Sequence, residues 1–133
     1  MVENNVLADK TITFAIRIAK CYQYLKQEMQ EYVMSKQLLR SGTSIGANVH
    51  ESVQAQSRAD FISKLSIALK EASETSYWLV VLRRADYLSE SIYHSLTTKI
   101  HYFHQSIKLF IEKLFFAIFL SRPRVNHLYN HYN

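Results

Sequence analysis

Glycine, proline and cysteine are nearly absent from this chain of 133 residues, which holds two, one and one of them. An all-β sandwich or barrel turns every few residues and leans on Gly and Pro to do so. Three such residues cannot supply those turns. Rossmann-type and P-loop folds need Gly where backbone meets phosphate, and they fall on the same ground. One cysteine, Cys21, cannot close an internal disulfide, and no N-terminal stretch has the charged-then-apolar form of a signal peptide. The chain therefore reads as cytoplasmic. Its longest uninterrupted apolar run, Leu114 to Leu120, is far short of the roughly 20 residues that span a bilayer. Acids are the scarcer charge: eleven Asp+Glu stand against sixteen Lys+Arg, for a net +5. That balance points weakly to polyanions.

What is present is a globular composition, 48% hydrophobic and 20% charged, in a length that suits one domain. Its apolar residues recur at helical spacing. A first helix, capped by Asp9 or Thr11, carries Phe14, Ile18, Cys21, Leu25 and Met29 on one stripe, and Gln30 to Val33 end it. A second begins near Ser35 and buries Leu38, Ile45, Val49 and Val53. Ser57 and Asp60 form a capping box for a third, with Phe61, Leu65, Ala68, Ala72, Thr75, Leu79 and Leu82 along one face. Arg83 and Arg84 close it, where cations complement the helix dipole. The fourth follows the connection at 86–90 and carries Leu96, Ile100, Phe103, Ile107, Phe110 and Leu114. Pro123 is its natural stop. These four helices with short links predict an all-α, antiparallel up-down-up-down four-helix bundle. The bundle domain is expected over 1–120, with a basic, loosely ordered tail over 121–133.

The run Ser41-Gly42-Thr43-Ser44-Ile45-Gly46-Ala47 places two glycines inside a helix, at a cost of about 1 kcal/mol each against Ala. Close approach of a second helix offsets that cost. A hairpin of the second and third helices would turn Gly42 and Gly46 toward Ala68, Ala72 and Ser73. The competing reading, a phosphate loop, fails on spacing. The same hairpin brings Arg40 near Glu71 and Glu74, an ion-pair network and not a di-iron site, since neither Glu has a His three residues on. His94, His101 and His104 share part of one face, yet no acid or Cys lies within a turn of the last two. No metal, no cofactor and no catalytic residue is expected, and Cys21 reads as a buried thiol.

The end of the fourth helix stands apart. From Ile107 to Leu120 it is apolar on almost every face, whereas a bundle helix needs only one apolar stripe. Tyr102, Leu109 and Phe116 form a second stripe, joined by Phe115 and Phe119. A subunit interface is the expected use. A thicker core and a membrane-surface helix, the latter backed by Lys113, Arg122 and Arg124, are the alternatives.

Residues 35–51, with Gln37-Leu38-Leu39-Arg40-Ser41 and Ser44-Ile45 before Ala47-Asn48, resemble a known family signature. Residues 60–79 do too, with Lys64-Leu65, Lys70-Glu71-Ala72, Glu74 and Tyr77-Trp78-Leu79. Together they are similar to the four-helix bundle family also known as 23S rRNA intervening-sequence proteins. The resemblance covers the second and third helices in sequence and the other two in pattern only. It implies a bacterial bundle that assembles into a ring-like homo-oligomer, typically a pentamer. It also implies structural roles for Arg40, Glu51, Glu71, Glu74 and Trp78. The family is distantly similar to the basic accessory protein of diversity-generating retroelements, which partners a reverse transcriptase and nucleic acid.

The expected function is a non-enzymatic oligomeric scaffold whose basic surface engages RNA, DNA or a nucleic-acid-processing protein. Arg17, Lys20, Lys26, Arg83 and Arg84 are the candidate contacts, and a ring of five would carry about +25. The alternative is a protein-interaction adaptor with no nucleic-acid affinity. Clustering of the cations on one face separates the two.

Overall fold

The computed structural model describes residues 2–122 and holds four α-helices: α1 (Val2–Gln27), α2 (Met34–Val53), α3 (Arg58–Arg84) and α4 (Glu90–Ser121). The expected tail lies outside the described residues from Pro123 onward.

Cross-helix pairs set the directions. Ile18 lies against Gly42, Thr11 against Gly46 and Ala8 against His50, so α1 and α2 run antiparallel. Arg40 meets Glu74 while Glu51 meets Lys64, so α2 and α3 do as well. Lys10 meets Tyr102 and Arg17 meets Ser95, which sets α4 antiparallel to α1. The four helices pack in ring order, each on its sequence neighbour and α4 on α1. This is the expected four-helix bundle.

The core is built from the helical stripes. Phe14, Ile18, Cys21 and Leu25 of α1 are buried with Leu38, Ile45 and Val49 of α2. Leu65, Ala68, Ala72, Leu79 and Leu82 of α3 meet Leu96, Ile100, Phe103 and Ile107 of α4. Three local expectations are corrected. α1 begins at Val2, so Asp9 and Thr11 cap nothing; Thr11 is buried in mid-helix and its hydroxyl donates to the Ala8 carbonyl. Val53 is exposed because α2 ends there and the chain turns away. The glycines face α1 and not α3: a Cβ on Gly42 would stand 2.9 Å from Ile18 Cγ1, and one on Gly46 2.8 Å from Thr11 Oγ1. The close crossing is therefore the α1–α2 seam.

The connections explain how so few glycines suffice. Gln30 and Asp86 take positive φ, 53° and 66°, after α1 and α3, a conformation Asp tolerates better than most residues. Glu31 then caps α2 from outside it. Its buried carboxylate accepts from the backbone N–H of Val33, Met34 and Ser35 at 2.9, 2.9 and 2.6 Å. Burial pushes this carboxyl up, but those donors together hold it below its ordinary value. On α3, Ser57 accepts from the Asp60 N–H as expected, while the Asp60 carboxylate accepts from Gln56 N and not from the Ser57 N–H of a strict box.

A candidate nucleic-acid interface on the α1–α4 face

Helices α1 and α4 are held apart by aromatic bulk. Phe14 and Phe103 meet edge to face, with centroids 5.3 Å apart and planes at 73°. No glycine lets the backbones approach here, as Gly42 and Gly46 do on the α1–α2 seam. The outer side of this seam is a groove of about 340 Å³ with Phe14 and Phe103 among its lining. Lys10, Arg17 and Lys99 rim it, with Thr13, Thr98 and Tyr102. None of these is an acid.

The charge pattern extends beyond the groove. From Lys10 to Gln27 α1 has no Asp or Glu, and from Ser91 to Ile111 neither does α4. Over those stretches Lys10, Arg17, Lys20 and Lys99 line the seam, and Lys26 and Lys108 stand half a turn round from Arg17 and Lys99, on the far sides of their helices. The α2–α3 side is mixed instead, with Glu51, Asp60, Glu71 and Glu74 among its cations. Cations unmatched by acids on one face focus a positive field that paired charges elsewhere do not.

Within the face, side chains are tied across the seam. Lys10 donates from Nζ to the Tyr102 hydroxyl at 3.1 Å and lies 4.5 Å from the ring centroid. That bond from Lys10 is the main cause holding the Tyr102 phenol below its ordinary value, and Lys99 adds to it. Arg17 donates to Ser95 on α4. Arg17 also borders a second groove of about 290 Å³ with Lys20, Tyr24 and Ile92, so the two depressions follow one another along the seam.

Of the sequence-predicted contacts, Arg17 and Lys20 thus come together. Lys26 lies further along α1, its ammonium 5.1 Å from the Tyr22 ring centroid. Arg83 is engaged by Glu90 at 3.0 Å, and Arg84 is exposed beside it at the end of α3. Sequence reasoning missed Lys10 and Lys99. The signal that finds them is the acid-free stretch on each of two helices that turn out to be neighbours.

The remaining candidates fall in two places. Arg40 binds Glu74 and, at 3.4 Å, Glu71; the Trp78 indole N–H donates to Glu74 at 3.3 Å. Glu51 stands apart from this network and pairs with Lys64 at 2.8 Å. These contacts clamp α2 to α3. Leu109, Phe115, Phe116 and Phe119 are all exposed, Phe116 at 64% and Phe119 at 70%, and Leu120 joins them. Val2, eight residues before Lys10, is level with Phe110, eight residues after Tyr102. α4 continues past that level to Ser121. Tyr102 stands at the boundary, bordering both the cationic groove and a depression formed with Val6 and Leu109.

Among the described residues no three His, Cys, Asp or Glu side chains are grouped to hold a metal. His94 lies 3.2 Å from Glu90, and His101 lies 3.1 Å from Gln105. Burial pushes the Cys21 thiol up to about 11, which keeps it protonated and a poor nucleophile. No described helix is long and apolar enough to cross a membrane.

A family model described as 23S rRNA-intervening sequence protein matches residues 3–108. Among solved structures, a crystal structure of a protein with unknown function from the S23 ribosomal protein family, from Bacteroides thetaiotaomicron, is 51% identical to this chain with a TM-score of 0.81. That match covers 83% of this chain and 98% of the other. No curated protein matches the chain. The stretch holding Leu109, Phe115, Phe116 and Phe119 lies beyond the family match.

Proposed function

Because the chain belongs to the 23S rRNA-intervening sequence protein family, we propose that it is a non-enzymatic oligomeric scaffold whose α1–α4 face binds nucleic acid through its phosphates. The observation that carries this reading is the segregation of charge: Lys10, Arg17, Lys20 and Lys99 line the two grooves along the seam, and no acid lines either. A phosphate backbone is the polyanion that a long, even, cationic seam matches, and cation–phosphate contacts supply most of non-specific affinity. No recognition helix and no sheet of stacking aromatics is present among the described residues, so the contacts position a strand and read little sequence. Lys10 and Lys99 join Arg17 and Lys20 as contacts, while Lys26, half a turn round α1 from Arg17, faces away from this seam. Arg83 ranks below them, since Glu90 balances its charge.

Assembly rests on apolar surface. Phe115, Phe116, Phe119 and Leu120 form an exposed patch on the end of α4, and such patches mark contacts. Copies joined there would repeat the basic face and raise its local potential. The same patch favours the second reading, a protein-interaction adaptor without affinity for RNA or DNA. Light scattering gives the mass in solution, and RNA and DNA binding at several salt concentrations gives the slope. A multimer whose affinity falls steeply with salt supports the scaffold; a multimer that binds neither polymer at low salt leaves the adaptor.

A further inference from the structure

The α1–α4 groove is more than a row of cations. At about 340 Å³ it has the size of a small-ligand cleft, and it combines two chemistries in one volume. Lys10, Arg17 and Lys99 bring positive charge, while Tyr102 brings the exposed aromatic face, with Phe14 and Phe103 buried beneath as the floor. A duplex offers such a groove only its phosphates, because its bases are stacked inside. A single strand offers phosphate and base together, and an aromatic side chain beside a cationic track is the usual means of holding it.

Tyr102 is the side chain placed for the base. It is partly exposed at the rim, and Lys10 lies over its ring as a cation over a π face. A lysine on a flexible four-carbon stem moves readily to a phosphate, leaving the ring face to an incoming base. The phenol is held below its ordinary value chiefly by its bond from Lys10, against the opposing effect of burial, with Ser106, the charge of Lys10 and Lys99 adding to it. Thr13 and Thr98 donate their hydroxyls to carbonyls of their own helices, those of Asp9 and His94. The charged work in the groove therefore falls to Lys10, Arg17 and Lys99.

We propose that this groove seats one nucleotide of a single-stranded RNA or DNA, its phosphate among Lys10, Arg17 and Lys99 and its base against Tyr102. The inference rests on the nucleic-acid reading above and names the form of polymer it takes.

Fluorescence anisotropy with labelled oligouridine and oligothymidine of roughly 12 nucleotides, and with a duplex of equal length, tests it. Wild type is compared with Tyr102→Ala, Tyr102→Phe and Lys99→Gln, each checked for helicity. Single strands are expected to bind about tenfold tighter than duplex, and Tyr102→Ala to lose about tenfold on single strands and little on duplex. Tyr102→Phe keeps the ring and stays close to wild type. Lys99→Gln weakens both polymers and lowers the salt slope by about one. Equal affinity for single strand and duplex, or Tyr102→Ala without effect, overturns the groove assignment while leaving the basic face intact. Absence of binding to every probe overturns both.

Discussion

Gly46 of α2 lies so close to Thr11 of α1 that a methyl group on the glycine would stand 2.8 Å from the threonine hydroxyl. The α1–α2 seam is thus closed by the absence of a side chain, while the α1–α4 seam is held open by Phe14 against Phe103. Both seams carry a depression, but the one between α1 and α2 is lined by small and apolar residues with His50, and the one between α1 and α4 by cations. Gly46→Leu is expected to destabilise the fold by about 1–3 kcal/mol through overpacking. Ser73→Leu, on the exposed side of α3, should stay within about 0.5 kcal/mol of wild type. Urea unfolding of the two variants checks the orientation; a stable Gly46→Leu protein would mean that α1 does not cross there.

Phe14→Ala is expected to cost about 3–5 kcal/mol, because it removes a fully buried ring and leaves a cavity against Phe103. Thermal melts read the loss. A change under about 1 kcal/mol would contradict the view of this pair as the spacer between α1 and α4.

Glu31 gives a pH dependence with a defined sign. Its folded-state carboxyl lies below the ordinary 4.5, so its stabilisation is fully present above that pH and is lost as pH falls through the folded value. Glu31→Gln should cost about 1–2 kcal/mol near neutral pH, in the range of other lost caps. The difference between wild type and variant should be flat down to about pH 5 and shrink below it. A difference that grows in acid would refute the cap.

The helical stripes were legible in the sequence because burial follows spacing: Leu65, Ala68, Ala72, Thr75, Leu79 and Leu82 are all buried as the pattern requires. The Arg40 network was legible too, since a short link between α2 and α3 fixes their register. Glu31 was not, for Glu is an uncommon cap and its three donors all lie after a positive-φ residue, Gln30. The partner of the glycine seam is not legible, because small residues occur on α3 as well and spacing alone does not say which helix a small face meets. The cationic groove was half visible. Arg17 and Lys20 share a helical face, but Lys99 joins them only through the ring closure of α4 on α1.

Phe116→Glu is expected to yield smaller species in light scattering with unchanged helicity, since Phe116 is 64% exposed. A wild-type protein that is monomeric at micromolar concentration would remove assembly from the proposed function.

The most direct measurement compares two charge reversals of equal size on opposite sides of the bundle. Arg17→Glu with Lys99→Glu alters the α1–α4 face, and Lys36→Glu with Lys70→Glu alters exposed positions of α2 and α3. Each pair removes two positive charges and adds two negative ones, so any difference in RNA or DNA affinity reports location and not net charge. The first pair should abolish binding at moderate salt and flatten the salt slope, while the second weakens binding only slightly. Equal losses from the two pairs would show that the chain attracts nucleic acid by overall charge alone, and would contradict a binding face between α1 and α4.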